Sequence, residues 1–272
     1  MAQADALLQV RSLSARFTRE GVASRVVKGI SFDIAPGEAV GFVGESGCGK
    51  SVTARAILRL APEGSSLQLD GTVHYRGQDL LQLPESQMRD IRGRRIAMVF
   101  QDPMTSLNPV LSVGAQIDDM LRRHTGASAQ MARKRTIELL GLVGIRDAAR
   151  RVDDYPHQFS GGMRQRVLIA MAVSCEPDLL IADEPTTALD VTVQAQILRL
   201  LMRLRAELGM ALMLITHDFG VIAGMVERVY VMLDGEIVES GTVDALFAAP
   251  QHAYTRALLD AVPRLDSTTR LL

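Results

Sequence analysis

The stretch Gly44-Glu45-Ser46-Gly47-Cys48-Gly49-Lys50-Ser51 constrains this chain more than any other. It fits G-x-x-x-x-G-K-[ST], behind a short apolar run over 39–43 and ahead of a helical pattern over 52–60. Glycines let the backbone bend until several N–H groups point at phosphate oxygens. The helix that follows adds the partial positive charge of its N-terminus. The pattern assigns residues Gly44 to Val52 to phosphate binding, with Lys50 reaching the β- and γ-phosphates of a nucleotide and the Ser51 hydroxyl ligating Mg²⁺. Cys48 sits at a variable position of the pattern, where the backbone does the binding and a small side chain merely has to fit.

Composition sharpens this. Lys28, Lys50 and Lys134 are the only lysines among 30 basic residues, so arginine serves almost everywhere else. A compact ammonium fits a phosphate loop where a planar guanidinium would not. The net charge of −1, the absence of tryptophan and an aromatic content of 4% argue against a nucleic-acid partner. The 47% of hydrophobic residues suffice for a core without disulfides or a structural metal, and two cysteines make no cluster. No basic n-region with a long apolar stretch opens the sequence, and no apolar run approaches a membrane span, so a membrane role is expected to come through partners.

Along the chain, residues 7–17 and 25–34 read as strands joined by a polar turn, and 67–75 and 96–101 as further strands. From 111 to 172 the apolar period becomes helical. Strand 178–182, helix 191–207, strand 211–216, helix 219–226 and strand 228–233 follow. Alternation of this kind predicts an α/β core with a parallel, helix-covered sheet. The arginine-rich stretch 92–95 reads as a solvated turn, and His74, His124 and His157 have no metal-site spacing.

A Mg²⁺-nucleotide site needs an acidic anchor at the end of a buried strand. Leu179-Leu180-Ile181-Ala182-Asp183-Glu184 provides one. Asp183 is expected to hold the metal, directly or through water, and Glu184 to polarise an attacking water.

Between the two elements lies Phe159-Ser160-Gly161-Gly162-Met163-Arg164-Gln165-Arg166, which resembles the signature motif of ABC transporter ATPases. Further pieces are similar to that family's, in its order: Gln101 to the Q-loop glutamine, Ala188-Leu189-Asp190 to the D-loop, and His217 to the switch histidine. The resemblance covers nearly the whole chain. It implies a P-loop NTPase core with a parallel sheet, an antiparallel β subdomain and an inserted α-helical subdomain. The core would span about 1–110 and 173–248, the helical subdomain about 111–172, and a C-terminal tail 249–272.

The resemblance also implies ATP as the nucleotide and hydrolysis by Glu184, with His217 and Gln101 assisting and Gln101 near the metal. Ser160, Gly161, Gly162, Met163 and Asp190 would act in trans, completing the site of a second ATPase subunit, a paralogue or another copy. Phe17 is either the adenine-stacking aromatic of the family's A-loop or a core phenylalanine.

Phe100-Gln101-Asp102-Pro103-Met104-Thr105-Ser106-Leu107-Asn108-Pro109 and the C-terminal Gln251-His252-Ala253-Tyr254-Thr255-Arg256-Ala257-Leu258-Leu259 are similar to the peptide and nickel importer branch. Ala253 stands where proline is usual. Met163 replaces the general motif's glutamine, a pattern favouring an unlike pair. Longer relatives carry a cysteine cluster further on, and no cysteine follows Cys175 here. The resemblance implies two membrane permeases, an extracytoplasmic substrate-binding protein, and a peripheral place on the cytoplasmic face of the inner membrane. A non-transport ABC ATPase, of the DNA-repair or translation-associated kind, is the alternative; those usually carry long coiled coils or tandem cassettes, which this sequence lacks.

Overall fold

The computed structural model describes residues 6–19, 22–61, 64–102, 106–187 and 189–261. Two sheets organise them. The first is antiparallel, in the order β2-β1-β4-β5: β1 Leu8–Arg19, β2 Val22–Ile34, β4 Ser66–Tyr75 and β5 Gln78–Asp79. The second has the order β10-β9-β3-β8-β7-β6: β3 Ala39–Val43, β6 Ile96–Val99, β7 Leu179–Asp183, β8 Ala211–Thr216, β9 Arg228–Leu233 and β10 Glu236–Thr242. Within it β9, β3, β8, β7 and β6 run parallel and β10 returns antiparallel on the edge.

Every residue of β3, β7 and β8 is buried, as the unbroken apolar runs of a sheet covered on both faces require. Phe32 of the first sheet packs edge-on against Phe42, which stacks on Tyr230 in the second at a centroid distance of 5.0 Å. This aromatic cluster ties the sheets together. Helices Val113–Thr125, Ala129–Leu142 and Gly161–Val173 pack on one another. The last of them also lies against β6, and their apolar faces join one buried cluster with Leu180, Leu212 and Leu214. A parallel sheet, an antiparallel sheet beside it and helices packed against both make the architecture that the resemblance implies.

Several expected elements differ in extent. The strands 7–17 and 25–34 run further, to Arg19 and from Val22; Glu20 and Gly21 of the expected turn lie outside the described residues. The helix expected over 52–60 spans Lys50–Ile57, because Gly49 (φ 105°) launches it and Arg59 (φ 53°) turns the chain away. The helix expected over 219–226 closes at Ile222, before Gly224 adopts φ 82°. The strand expected over 96–101 stops at Val99, leaving Gln101 in the loop beyond. Arg92 is no solvated turn residue: its Nε donates to the Leu58 carbonyl at 2.7 Å, and it pairs with Glu85 on the helix Glu85–Ile91. Strand β10 and the helices Val243–Ala248 and Ala253–Asp260 were not anticipated.

Candidate nucleotide site

The strands β3, β6, β7 and β8 all deliver their carboxyl ends to one edge of the sheet, where open α/β sheets place ligands. Gly44–Gly49 leave β3 there, Gln101 follows β6, Asp183 and Glu184 end β7, and His217 follows β8. Residues far apart in sequence meet at this edge.

The loop's shape is set by glycine where only glycine fits. A Cβ on Gly44 would lie 2.2 Å from the Met232 carbonyl oxygen, and one on Gly49 would lie 3.0 Å from that of Val26. Inside the loop the Lys50 ammonium, buried at 3% exposure, donates to Gly44 O at 2.6 Å and Glu45 O at 2.8 Å. Carbonyl dipoles hold this cation in place of a carboxylate, which leaves its charge directed at an incoming anion. The helix Lys50–Ile57 has no side-chain cap and no acidic residue in its first turn. Its leading N–H groups therefore have no protein side chain to satisfy them, the condition that makes a helix N-terminus an anion site. Cys48 is buried; burial pushes its thiol up, against the neighbouring Lys50 charge. It packs as a small side chain and shows none of the features of a nucleophile.

Ser51 Oγ donates to Asp183 Oδ1 at 2.7 Å, while Asp183 Oδ2 is buried without a hydrogen-bond partner. Burial pushes the Asp183 carboxyl up, and the Ser51 hydrogen bond opposes it. An unpaired carboxylate oxygen beside a hydroxyl is the donor set a hard divalent cation takes, so the residues present fit Mg²⁺. Next to it, Glu184 adopts φ 45°, a left-handed backbone that a non-glycine residue holds only when its surroundings impose it. Its Oε2 accepts from Gln101 Nε2 at 3.0 Å and from Thr187 Oγ1 at 2.9 Å, and His217 Nδ1 stands 3.5 Å away. The carboxylate is 11% exposed and the imidazole 61%. Thr187 was missed in the sequence; its place three residues after Glu184 was the available signal.

The remaining expected residues lie elsewhere. Ser160 caps the helix Gly161–Val173, its Oγ accepting from Met163 N at 3.4 Å, so Gly161 and Gly162 stand inside the first turn. A Cβ on Gly162 would come within 2.6 Å of Val193, which sets the signature against the helix Val191–Leu208. Asp190 caps that helix through Val193 N at 2.9 Å. Arg151 Nη1 reaches Met163 Sδ at 3.8 Å. Phe17 is half-buried on β1, paired with Ser24 and Leu67, and is not part of the core. Pro103, Met104 and Thr105 of the Q-loop stretch, Ala188 of the D-loop and 262–272 of the tail lie outside the described residues.

A phosphate loop, an acid pair at a strand end and a signature helix on one sheet define a nucleotide-hydrolysing cassette. The chain belongs to the ABC transporter family: residues 27–187 match its model, and 238–272 match that of the oligopeptide/dipeptide transporter C-terminal region. The chain is 54% identical over 261 residues to the probable peptide ABC transporter ATP-binding protein y4tR of Sinorhizobium fredii, covering 96% of this chain and 78% of that protein. It is 52% identical over 260 residues to the dipeptide transport ATP-binding protein DppD of Bacillus subtilis, with the same coverage. The post-hydrolysis dimer of the ATP-binding cassette MJ0796 with ADP and Pi superimposes with a TM-score of 0.75 at 29% identity, over 87% of this chain and 98% of that one. As a member of this family the chain is an ATPase whose hydrolysis is coupled to transport.

Proposed function

We propose that the chain energises uptake of peptides, as the ATP-hydrolysing subunit of a binding-protein-dependent importer on the cytoplasmic face of the inner membrane. One observation carries this: a cassette in which Ser51 meets Asp183 and Gln101 meets Glu184 is joined to a segment, 238–272, matching the oligopeptide/dipeptide C-terminal region. Peptide transport in the names of the relatives y4tR and DppD supports peptides over nickel. No helix among the described residues is long and apolar enough to cross a membrane, so two permease subunits would form the pathway.

Within the site, the backbone of Gly44 to Val52 and the Lys50 ammonium bind the phosphates. Ser51 and Asp183, with Gln101 near them, would hold Mg²⁺, which when bound supplies positive charge against the transferring phosphoryl group. Glu184 accepts the proton of the attacking water, and Gln101, Thr187 and His217 hold that carboxylate in place. The signature, Ser160 to Met163, and Asp190 complete the site of a second subunit, a paralogue or another copy. A cleft of about 550 Å³ lined by Leu58, Met98, Phe100, Leu168 and Met171 supports permease docking between the core, 1–110 and 173–248, and the helical subdomain, 111–172. Reconstitution with two permease subunits and an extracytoplasmic binding protein tests the proposal. Peptide uptake that requires ATP is the expected result. Uptake of nickel alone, or an ATPase that associates with no membrane subunit, contradicts it.

A further inference from the structure

The C-terminal helix Ala253–Asp260 reaches the nucleotide site from behind. Tyr254 Oη accepts the Glu45 backbone N–H at 2.8 Å. The same peptide plane carries the Gly44 carbonyl, which accepts from Lys50 Nζ at 2.6 Å on its other side. All peptide bonds among the described residues are trans, so the N–H and C=O of this unit point in opposite directions. The Gly44–Glu45 peptide is thus gripped between the Tyr254 hydroxyl and the Lys50 ammonium. Rotation of that plane would swing the carbonyl away from Lys50 and release one of the two dipoles that place its charge.

The helix is itself tied down. Glu239 on β10 accepts from the N–H groups of Gln251 at 2.7 Å and His252 at 2.9 Å, and His252 Nδ1 accepts from Tyr254 N at 3.2 Å. Thr255 is fully buried, and Tyr254, Leu258 and Leu259 pack on the main apolar cluster. Since β10 pairs with β9 and β9 with β3, the strut and the loop it touches hang from one continuous run of strands. A hydroxyl delivered this way to a single N–H of the phosphate loop needs no role in holding the helix, because the ring, the anchors and the cap already do that.

We propose that Tyr254 is a positioning residue of the nucleotide site, locking the Gly44–Glu45 peptide plane and through it Lys50, so that the C-terminal helix sets the affinity for ATP. The proposal rests on ATP binding at this loop. Tyr254→Phe keeps the ring and deletes the hydroxyl; loss of one such hydrogen bond corresponds to roughly a threefold to tenfold change. The expected result is a rise of that size in the ATP Kd of the purified chain and in the KM for ATP of the assembled transporter. The kcat and Tm should stay near wild type, which a merely structural role would not predict. Glu45→Pro removes the N–H from the other side. It should shift Kd in the same direction, and the double variant should bind ATP no more weakly than Glu45→Pro alone. Unchanged Kd in Tyr254→Phe, or additive losses in the double variant, would overturn the proposal. Failure of the wild-type chain to bind ATP would instead strike the underlying assignment of the loop.

Discussion

The phosphate-loop turn and the signature turn each open onto a helix, and the two helices begin differently. At Gly49 the helix Lys50–Ile57 begins with no side-chain cap and no acid in its first turn. At Ser160 the helix Gly161–Val173 begins with its own cap, the hydroxyl occupied by Met163 N. The first N-terminus leaves its donors to a ligand. At the second, one donor is met within the chain, through a bond of 3.4 Å that is long for a cap. On this contrast, and under the function proposed above, the phosphate loop would bind within a single chain, and the signature would offer its hydroxyl to the nucleotide of another subunit.

The sharpest way to separate binding from chemistry at the first turn is Glu184→Gln. Removing the carboxylate while keeping its shape should leave ATP binding intact and reduce turnover of the assembled transporter by about 10²–10⁴-fold, the range for a lost general base. Steady-state phosphate release measures it, and a variant retaining more than half the wild-type rate would remove Glu184 from that role. Asp183→Asn should have a smaller effect, confined to the metal. The advantage of ATP with Mg²⁺ over ATP with a chelator should disappear in equilibrium binding, because the buried Oδ2 no longer carries charge for a cation. A variant that keeps the full Mg²⁺ dependence would place the metal elsewhere. The smallest effect is expected at the second turn. Ser160→Ala deletes a cap worth about 0.5–2 kcal/mol, so thermal unfolding should shift down by a few degrees with nucleotide affinity unchanged. A fall in affinity would erase the contrast between the two turns.

What could be read from sequence follows the same division. The phosphate loop and the acid pair at 183–184 are contiguous patterns whose chemistry needs particular residues at fixed offsets, and the flanking strands and helix are local. Gln101 and His217 converge on one carboxylate oxygen of Glu184 only because β6, β7 and β8 are neighbours in the sheet, an ordering no local pattern encodes. Tyr254 is the extreme case. Its motif was visible as a similarity, but its contact with Glu45 depends on strand β10, an edge strand whose mostly polar, half-exposed residues gave no apolar run to detect. Two helices end earlier than expected where a residue takes a positive φ, at Arg59 and Gly224, since those conformations close helices whose apolar pattern continues.

The central claim, that one chain binds nucleotide at the first turn and presents the second to a partner, is tested most directly by one ATP titration of the isolated chain. Wild type, Lys50→Ala and Ser160→Arg are compared at a concentration where each is monomeric. Loss of the charge-assisted hydrogen bonds of Lys50 should weaken ATP binding roughly tenfold or more, while Ser160→Arg should bind as wild type does. Equal weakening by both substitutions would mean that the signature contributes to the chain's own site, and would contradict the account.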